Sequence, residues 1–399
     1  MSARFTWAVP PAILFALCLL YRATALPPPV APSVLLKRDT PAVIAPRYND
    51  PRVATDEQLA RALDRLKPPA GAPNTNHMIH ALRLWGPHAD FGDARFLSGP
   101  AMLAYLTDDR TFQRLAGEAA APLLVMEKSG RIGVRAWTAD HPAAATASVH
   151  ADDLLATLGE CGLPLTAPIV TRTGVGTVRD LLLGALGRYH LNQLEFEWTA
   201  ISFARYACPA RWWINDYGQR IDIDNLLRLL IDLPLRDGVC AGTHRLEALV
   251  VLLAADERAR ALSDRQRRRI VAHLSEVSGL LMSTQSPAGY WRREWQRPAT
   301  ANATTPLADR ILATGHHLEW LALAPEAAQP SRECIVRAAQ WLARAMIEVD
   351  QATLAAEYGP FSHAARALCL WRSQEPFQAW RAAQTQLARR QTPPQHADE

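Results

Sequence analysis

A short pattern returns six times along this chain and limits the folds open to it. A polar residue, usually histidine, is followed three positions later by Glu or another polar residue, and then by an apolar run. The copies are His77-Met-Ile-His80, His150-Ala-Asp-Asp153, Asn192-Gln-Leu-Glu195, His244-Arg-Leu-Glu247, His316-His-Leu-Glu319 and His363-Ala-Ala-Arg366. Successive starts lie 73, 42, 52, 72 and 47 residues apart. Each gap holds the rest of one helix, a turn, a second helix and a loop. The helices begun this way are apolar nearly all round, as in the stretch from Ala248 to Ala255, and such a helix has to be enclosed. Between them lie helices with one charged face. Capping boxes at Thr55–Gln58, Thr177–Asp180 and Ser263–Gln266 open three of these, Asp222 opens another, and Ser331 opens the last. The alternation predicts an all-α fold, a six-hairpin α/α toroid of inner and outer helices. Its inner helices should start near His77, His150, Asn192, His244, His316 and His363. The outer helix of the second hairpin must come from Pro100 to Gly117, where the period is poor. Two inserts read as small β-hairpins: Leu124–Trp137, turning at Ser129-Gly130, and Trp212–Asp222, turning at Asp216-Tyr217-Gly218.

Composition removes whole classes. At 49% hydrophobic residues the chain is no disordered protein. Only one long apolar run exists, Phe5 to Tyr21, so a polytopic membrane protein is excluded. The net charge is +4, and acids are interspersed among the arginines. The run Arg265 to Arg269 reads as a solvated helix face, so no nucleic-acid partner is expected. Residues 1–25 read as a signal peptide, with Ala23-Thr24-Ala25 as the cleavage site, or as an uncleaved membrane anchor. The expected address is therefore exported, with anchoring by residues 5–21 as the alternative. Proline-rich residues 26–54 read as an extended tether, residues 55–390 as the toroid domain, and 391–399 as a disordered tail. Cys161, Cys334 and Cys369 fall in helical patterns as small core residues, whereas Cys208 and Cys240 flank loops and are candidates to pair. Of twelve tryptophans, Trp291, Trp295, Trp320 and Trp341 are expected in helix packing. Trp137, Trp212 and Trp213 fall in the hairpins.

Gln285-Ser-Pro-Ala-Gly289-Tyr-Trp291, following Leu280-Leu281, resembles the Q-x-x-x-G-x-W motif of terpenoid cyclases. With the six-fold alternation over residues 55–385, the chain resembles, at the level of fold, the terpenoid cyclase/protein prenyltransferase-like α/α toroids. The D-x-D-D acid motif of the cyclases is absent; Asp152-Asp153 and Asp222-Ile-Asp224 are the nearest strings. Prenyltransferases of that superfamily place Asp, Cys and His on zinc. The residues of those types here are Asp237, Cys240 and His244, at a different spacing. Six-hairpin glycosidases share the architecture, and fold analogy by itself transfers no activity.

His77, His80, His244, Glu247, His316, Glu319 and His363 are the candidate catalytic residues. Polar residues at i and i+3 share one helix face, so at inner-helix starts they would converge on an axial funnel. There they would form acid–base pairs or bind a divalent metal; no organic cofactor is expected. The competing reading makes Glu195, Glu247 and Glu319 helix caps and the histidines hydrogen-bonded spacers. Three functions follow: an enzyme with a funnel site for a small molecule, lipid or glycan; a non-catalytic scaffold; or a carbohydrate-active enzyme. The first needs ionisable groups with displaced pKa values in the funnel, the second an apolar plug with its polar pairs spent on caps, and the third two opposed carboxylates.

Overall fold

The structure, a computed structural model, describes residues 39–71, 74–136, 146–207, 212–297 and 305–391. The apolar run Phe5–Tyr21, the Ala23–Ala25 site, Cys18, Trp137, Cys208 and the tail after Gln391 lie outside the described residues.

The described chain is predominantly helical, with three short antiparallel hairpins. In order it runs α1 (Asp56–Asp64), α2 (Thr75–Trp85), α3 (Gly99–Thr107), α4 (Asp109–Ala116), β1 (Leu124–Met126), β2 (Ile132–Val134) and α5 (Asp153–Glu160). Then follow β3 (Pro168–Val170), β4 (Val175–Thr177), α6 (Val178–Arg188), α7 (Glu197–Tyr206), β5 (Trp212–Ile214), β6 (Arg220–Asp222) and α8 (Ile223–Asp232). The last elements are α9 (Thr243–Ala259), α10 (Asp264–Thr284), α11 (Leu307–Leu323), α12 (Arg332–Glu348), α13 (Gln351–Ala356), α14 (Tyr358–Trp371) and α15 (Pro376–Gln391).

Six helices are buried on nearly every side, and their contacts form a closed cycle. α2 packs on α5, α5 on α7, α7 on α9, α9 on α11, α11 on α14, and α14 back on α2. The amphipathic helices lie against them: α3 on α2, α6 on α5 and α7, α8 and α10 on α9, α12 on α11 and α14, and α1 on α14. The stripe Ile270, Leu274, Val277 and Leu281 is the buried face of α10. The capping boxes at Thr55–Gln58, Thr177–Asp180 and Ser263–Gln266 all form, and Asp222–Asn225 makes another.

The structure departs from the sequence reading at several places. α11 begins at Leu307, after Pro306, and not near His316. Gly315, just before that expected start, is a packing notch: a Cβ there would stand 3.0 Å from the Ala364 nitrogen of α14. α14 likewise begins at Tyr358, ahead of His363. Asn192 lies in a turn before α7, which starts at Glu197. The segment from Pro100 to Gly117 is two helices, α3 and α4, broken at Asp108, whose extended backbone (φ −129°, ψ 109°) ends one and caps the other. That break is why no single period runs through it. The hairpins at 124–134 and 212–222 form, with Gly130 and Gly218 at positive φ in their turns. A third, β3–β4, was not expected.

The proposed tether is corrected in its described part. Residues 39–54 lie on the helical body, with Ala42, Val53 and Ala54 buried. Their amides bond the C-terminal ends of enclosed helices: Ala42 N to Arg205 O (2.8 Å, α7), Arg47 N to Ala322 O (2.9 Å, α11) and Asp50 N to Trp371 O (2.9 Å, α14). Helix C-termini carry free carbonyls, and an extended strand supplies the donors.

The Gln285–Trp291 turn leads out of α10 toward α11. Gln285 Nε2 donates to Gly289 O and to Cys334 O of α12, both at 2.8 Å, and buried Trp291 donates from Nε1 to Leu281 O at 2.9 Å. Gly289 has φ +107°, and a Cβ there would meet Arg337 O at 2.6 Å.

Candidate functional site

Polar side chains on the enclosed helices meet in one buried network. Arg83 of α2 donates to Glu160 of α5 (Nε to Oε2, 2.6 Å) and to Glu247 of α9, and its guanidinium lies 4.8 Å over the Trp198 ring of α7. Arg366 of α14 reaches Glu319 of α11 (2.9 Å) and Glu160 (3.2 Å). Arg205 of α7 adds a contact to Glu160 at 3.4 Å. Three guanidiniums thus face three carboxylates, which is how charges become tolerable inside a helical core. Burial alone would raise the Glu160 and Glu247 carboxyls. The arginines around them more than offset it and hold both well below the usual range.

The histidines sit among these pairs. His244 Nδ1 donates to Glu247 Oε2 (3.1 Å), and its Nε2 stands 3.0 Å from Nε2 of His316. His316 Nδ1 donates to Leu312 O (2.7 Å). His363 Nδ1 lies 2.7 Å from Glu319 Oε2 and 3.2 Å from Arg83 Nη1. His80 Nδ1 donates to Asn76 O (2.8 Å), and its ring is edge-on to His363. Burial pushes the His80 and His244 pKa values down to about 3, and it lowers those of His316 and His363 as well. At neutral pH these are four neutral imidazoles.

His80, His244, Glu247, His316, Glu319 and His363 are therefore brought together. His77 is not; its ring packs on Tyr358 instead. Helix capping does not account for the glutamates. Glu319 lies deep within α11, Glu247 bonds Arg83 and His244, and Glu195 pairs with His150 (3.0 Å). Sequence reasoning missed Arg83, Glu160 and Arg205. The available signal was a charged residue inside an otherwise apolar helix, which has to find a partner.

A cleft of about 900 Å³ opens beside this network, lined by His150, Leu191–Glu195, Leu233, Arg236–Ala241, Arg293 and Leu312 among others. Cys240 joins the two. The loop before α9 has three successive residues at positive φ, Cys240 (50°), Ala241 (56°) and Gly242 (83°). A Cβ at Gly242 would stand 2.2 Å from Leu235 O, so only glycine fits. Trp295 Nε1 (3.0 Å) and Gln296 Nε2 (2.8 Å) donate to Ala241 O, and buried Glu197 accepts from Val239 N (3.3 Å) and Arg245 Nε (2.8 Å). Burial pushes the Cys240 thiol up to about 12.

Among the described residues, two triads place ligand atoms within 4.8 Å of one another: Cys240–His244–His316 and His316–Glu319–His363. Asp237, a zinc candidate from the sequence, belongs to neither; it is exposed and pairs with Arg236 at 3.5 Å. A second cleft, of about 1030 Å³, lies between α1 and α15 and touches none of this network. Among the described residues no helix is long and apolar enough to cross a membrane. No protein-family model, curated protein or solved structure matches the chain.

Proposed function

We propose that this chain is an exported enzyme built on a six-hairpin α/α toroid, similar in fold to terpenoid cyclases and protein prenyltransferases, with its active site in the cleft beside Cys240. The cyclic contacts of α2, α5, α7, α9, α11 and α14, with amphipathic helices laid outside them, support the toroid. The Gln285 bridge to Cys334 O supports the likeness to the Q-x-x-x-G-x-W turn.

One observation carries the enzymatic reading. The enclosed interior is not an apolar plug; it holds neutral imidazoles fixed by carboxylates, buried beside a cleft large enough for a small-molecule substrate and joined to it by Cys240. A scaffold has no need of these groups. The carbohydrate-active reading is disfavoured because a glycosidase needs a protonated carboxylic acid facing its substrate, whereas Glu160 and Glu247 are held ionised by arginines and the carboxyls that burial raises, Asp152 and Asp153, do not line the cleft. The substrate class is expected to be amphiphilic, since Leu191, Leu194, Leu229 and Leu233 share the cleft with Arg236 and Arg293.

Thermal-shift screening with isoprenoid diphosphates, glycans and acyl compounds tests this. A ligand at about 100 times its Kd adds about 2.7 kcal/mol of stability. The expected result is a stabilising ligand whose effect is lost in Leu233→Arg, a substitution on the cleft wall outside the buried network. A ligand that stabilises Leu233→Arg as well as the unaltered chain would place the site elsewhere and defeat the reading.

A further inference from the structure

We infer that Cys240, His244 and His316 form a binding site for one divalent transition-metal ion, zinc above all, beside the cleft that Cys240 lines. This stands apart from the catalytic reading: the ion binds or fails to bind whether or not the cleft takes a substrate.

The inference begins from a contact that is unfavourable as it stands. The Leu312 carbonyl can only accept, so His316 Nδ1 carries its proton. The Glu247 carboxylate, ionised beside Arg83, can only accept, so His244 Nδ1 carries its proton. A neutral imidazole has one N–H, so both Nε2 atoms present bare lone pairs, and they face each other at 3.0 Å. Two acceptors at that distance repel unless a cation lies between them. Two nitrogens bound to a tetrahedral zinc at about 2.0–2.1 Å stand about 3.3 Å apart, close to what is seen. The rings cross at 82°, with centroids 4.6 Å apart.

The third donor and the surroundings fit the same ion. Cys240 Sγ lies within 4.8 Å of a ring nitrogen of each histidine, carried by a loop that Trp295, Gln296 and Glu197 hold in a left-handed conformation. A thiolate with two imidazoles is a donor set that suits zinc. Each histidine already hands its other N–H to an oxygen acceptor, a carbonyl on one and a carboxylate on the other, which is the usual outer arrangement of metal-bound histidine. Arg83 in turn fixes Glu247, so the buried ion network acts to orient a ligand. Three protein donors leave a fourth position for water or substrate, and Cys240 lines the cleft.

The second triad fits less well. The free nitrogen of His316 is already turned to His244. The His316 and His363 rings lie nearly face to face, 3.8 Å apart at 33°, so their lone pairs run side by side. Glu319 is engaged by Arg366, and His363 Nδ1 is contested between Glu319 and Arg83.

The test is titration of the purified, chelator-treated protein with zinc and with cobalt(II), read by elemental analysis and absorption. One equivalent should bind. Cobalt should show the intense visible bands of tetrahedral coordination and a thiolate-to-metal charge-transfer band. Cys240→Ser should lose that band and weaken zinc binding about tenfold or more. His316→Gln should abolish stoichiometric binding, and Glu247→Gln should weaken it by about 10–100-fold. Asp237→Asn and His363→Gln should bind as the unaltered chain does. His316 is buried and its variant could misfold, so circular dichroism accompanies each measurement and Cys240→Ser is the deciding variant. Failure of the unaltered protein to bind either ion would overturn the site and leave a proton shared between the two imidazoles. Cobalt binding without a thiolate band, or binding kept in Cys240→Ser and lost in His363→Gln, would overturn it too.

Discussion

Arg83 shows at the scale of one residue why the interior was only half legible. The histidines stood out because they recur at the heads of apolar runs. Arg83 sits in such a run, between Leu82 and Leu84, and periodicity alone treats it as an interruption. Its role lies in partners 77 and 164 positions away, Glu160 and Glu247, and no local pattern reports a contact at that separation. Removing one member of a buried charged group leaves the others uncompensated, at a cost of about 3–5 kcal/mol. Arg83→Met should therefore lower stability by that amount in urea unfolding. Replacing the exposed Arg236, whose ion-pair partner among the described residues is its neighbour Asp237, should change it by about 0.5 kcal/mol or less. Equal effects of the two substitutions would refute a network centred on Arg83.

Elements divide into those whose signals are local and those whose signals are not. The amphipathic helices were readable because caps and apolar stripes are written in consecutive residues; Thr55, Thr177, Asp222, Ser263 and Ser331 all stand at helix starts. The starts of α11 and α14 were misplaced because His316 and His363 repeat the polar pattern of a helix start while lying inside their helices as partners of other helices. The β3–β4 hairpin was missed although its strands, three residues each, are as long as those of the two hairpins that were read. The Gln285–Trp291 turn was legible as a motif, and the structure gives it a measurable role. Gln285→Ala would leave the carbonyls of Gly289 and Cys334 without their donor, costing about 1–3 kcal/mol. Trp291→Ala would open a cavity in the core and cost about 3–5 kcal/mol. Denaturation midpoints of the two variants check both figures; a Trp291 variant as stable as the unaltered chain would show the turn to be ornamental.

For the whole molecule, the C-terminal ends of α7, α11 and α14 are finished by the segment 39–54, which supplies backbone donors, a use of proline-rich chain that composition alone presented as a tether. The loops before α7 and α9 line the cleft beside the imidazoles. The gathering of buried neutral histidines there makes global stability depend on pH. His80 and His244 are pushed down to about 3 by burial, against about 6.5 in the unfolded chain. Between those values the unfolded state binds more protons, so stability is full above about pH 6.5 and falls as the pH drops toward 3. At pH 5 each of the two contributes a loss of about 2 kcal/mol relative to neutral pH. Asp153 acts in the opposite sense, because burial pushes its carboxyl up to about 6, and on the same descent it restores about 1 kcal/mol. Glu160 and Glu247, held low by arginine, contribute no loss until the pH falls below about 4.5. From these groups the expectation is a loss of about 2–3 kcal/mol between pH 7 and pH 5, to which the lowered His316, His317 and His363 add and against which the raised Asp152 acts. Chelator-treated protein melted across that range should show a steadily falling midpoint. His244→Gln, which keeps a hydrogen-bonding amide and loses the titrating ring, should flatten the slope. A midpoint that holds or rises from pH 7 to pH 5 would mean that the interior imidazoles already carry protons, and the neutral cluster would have to be abandoned.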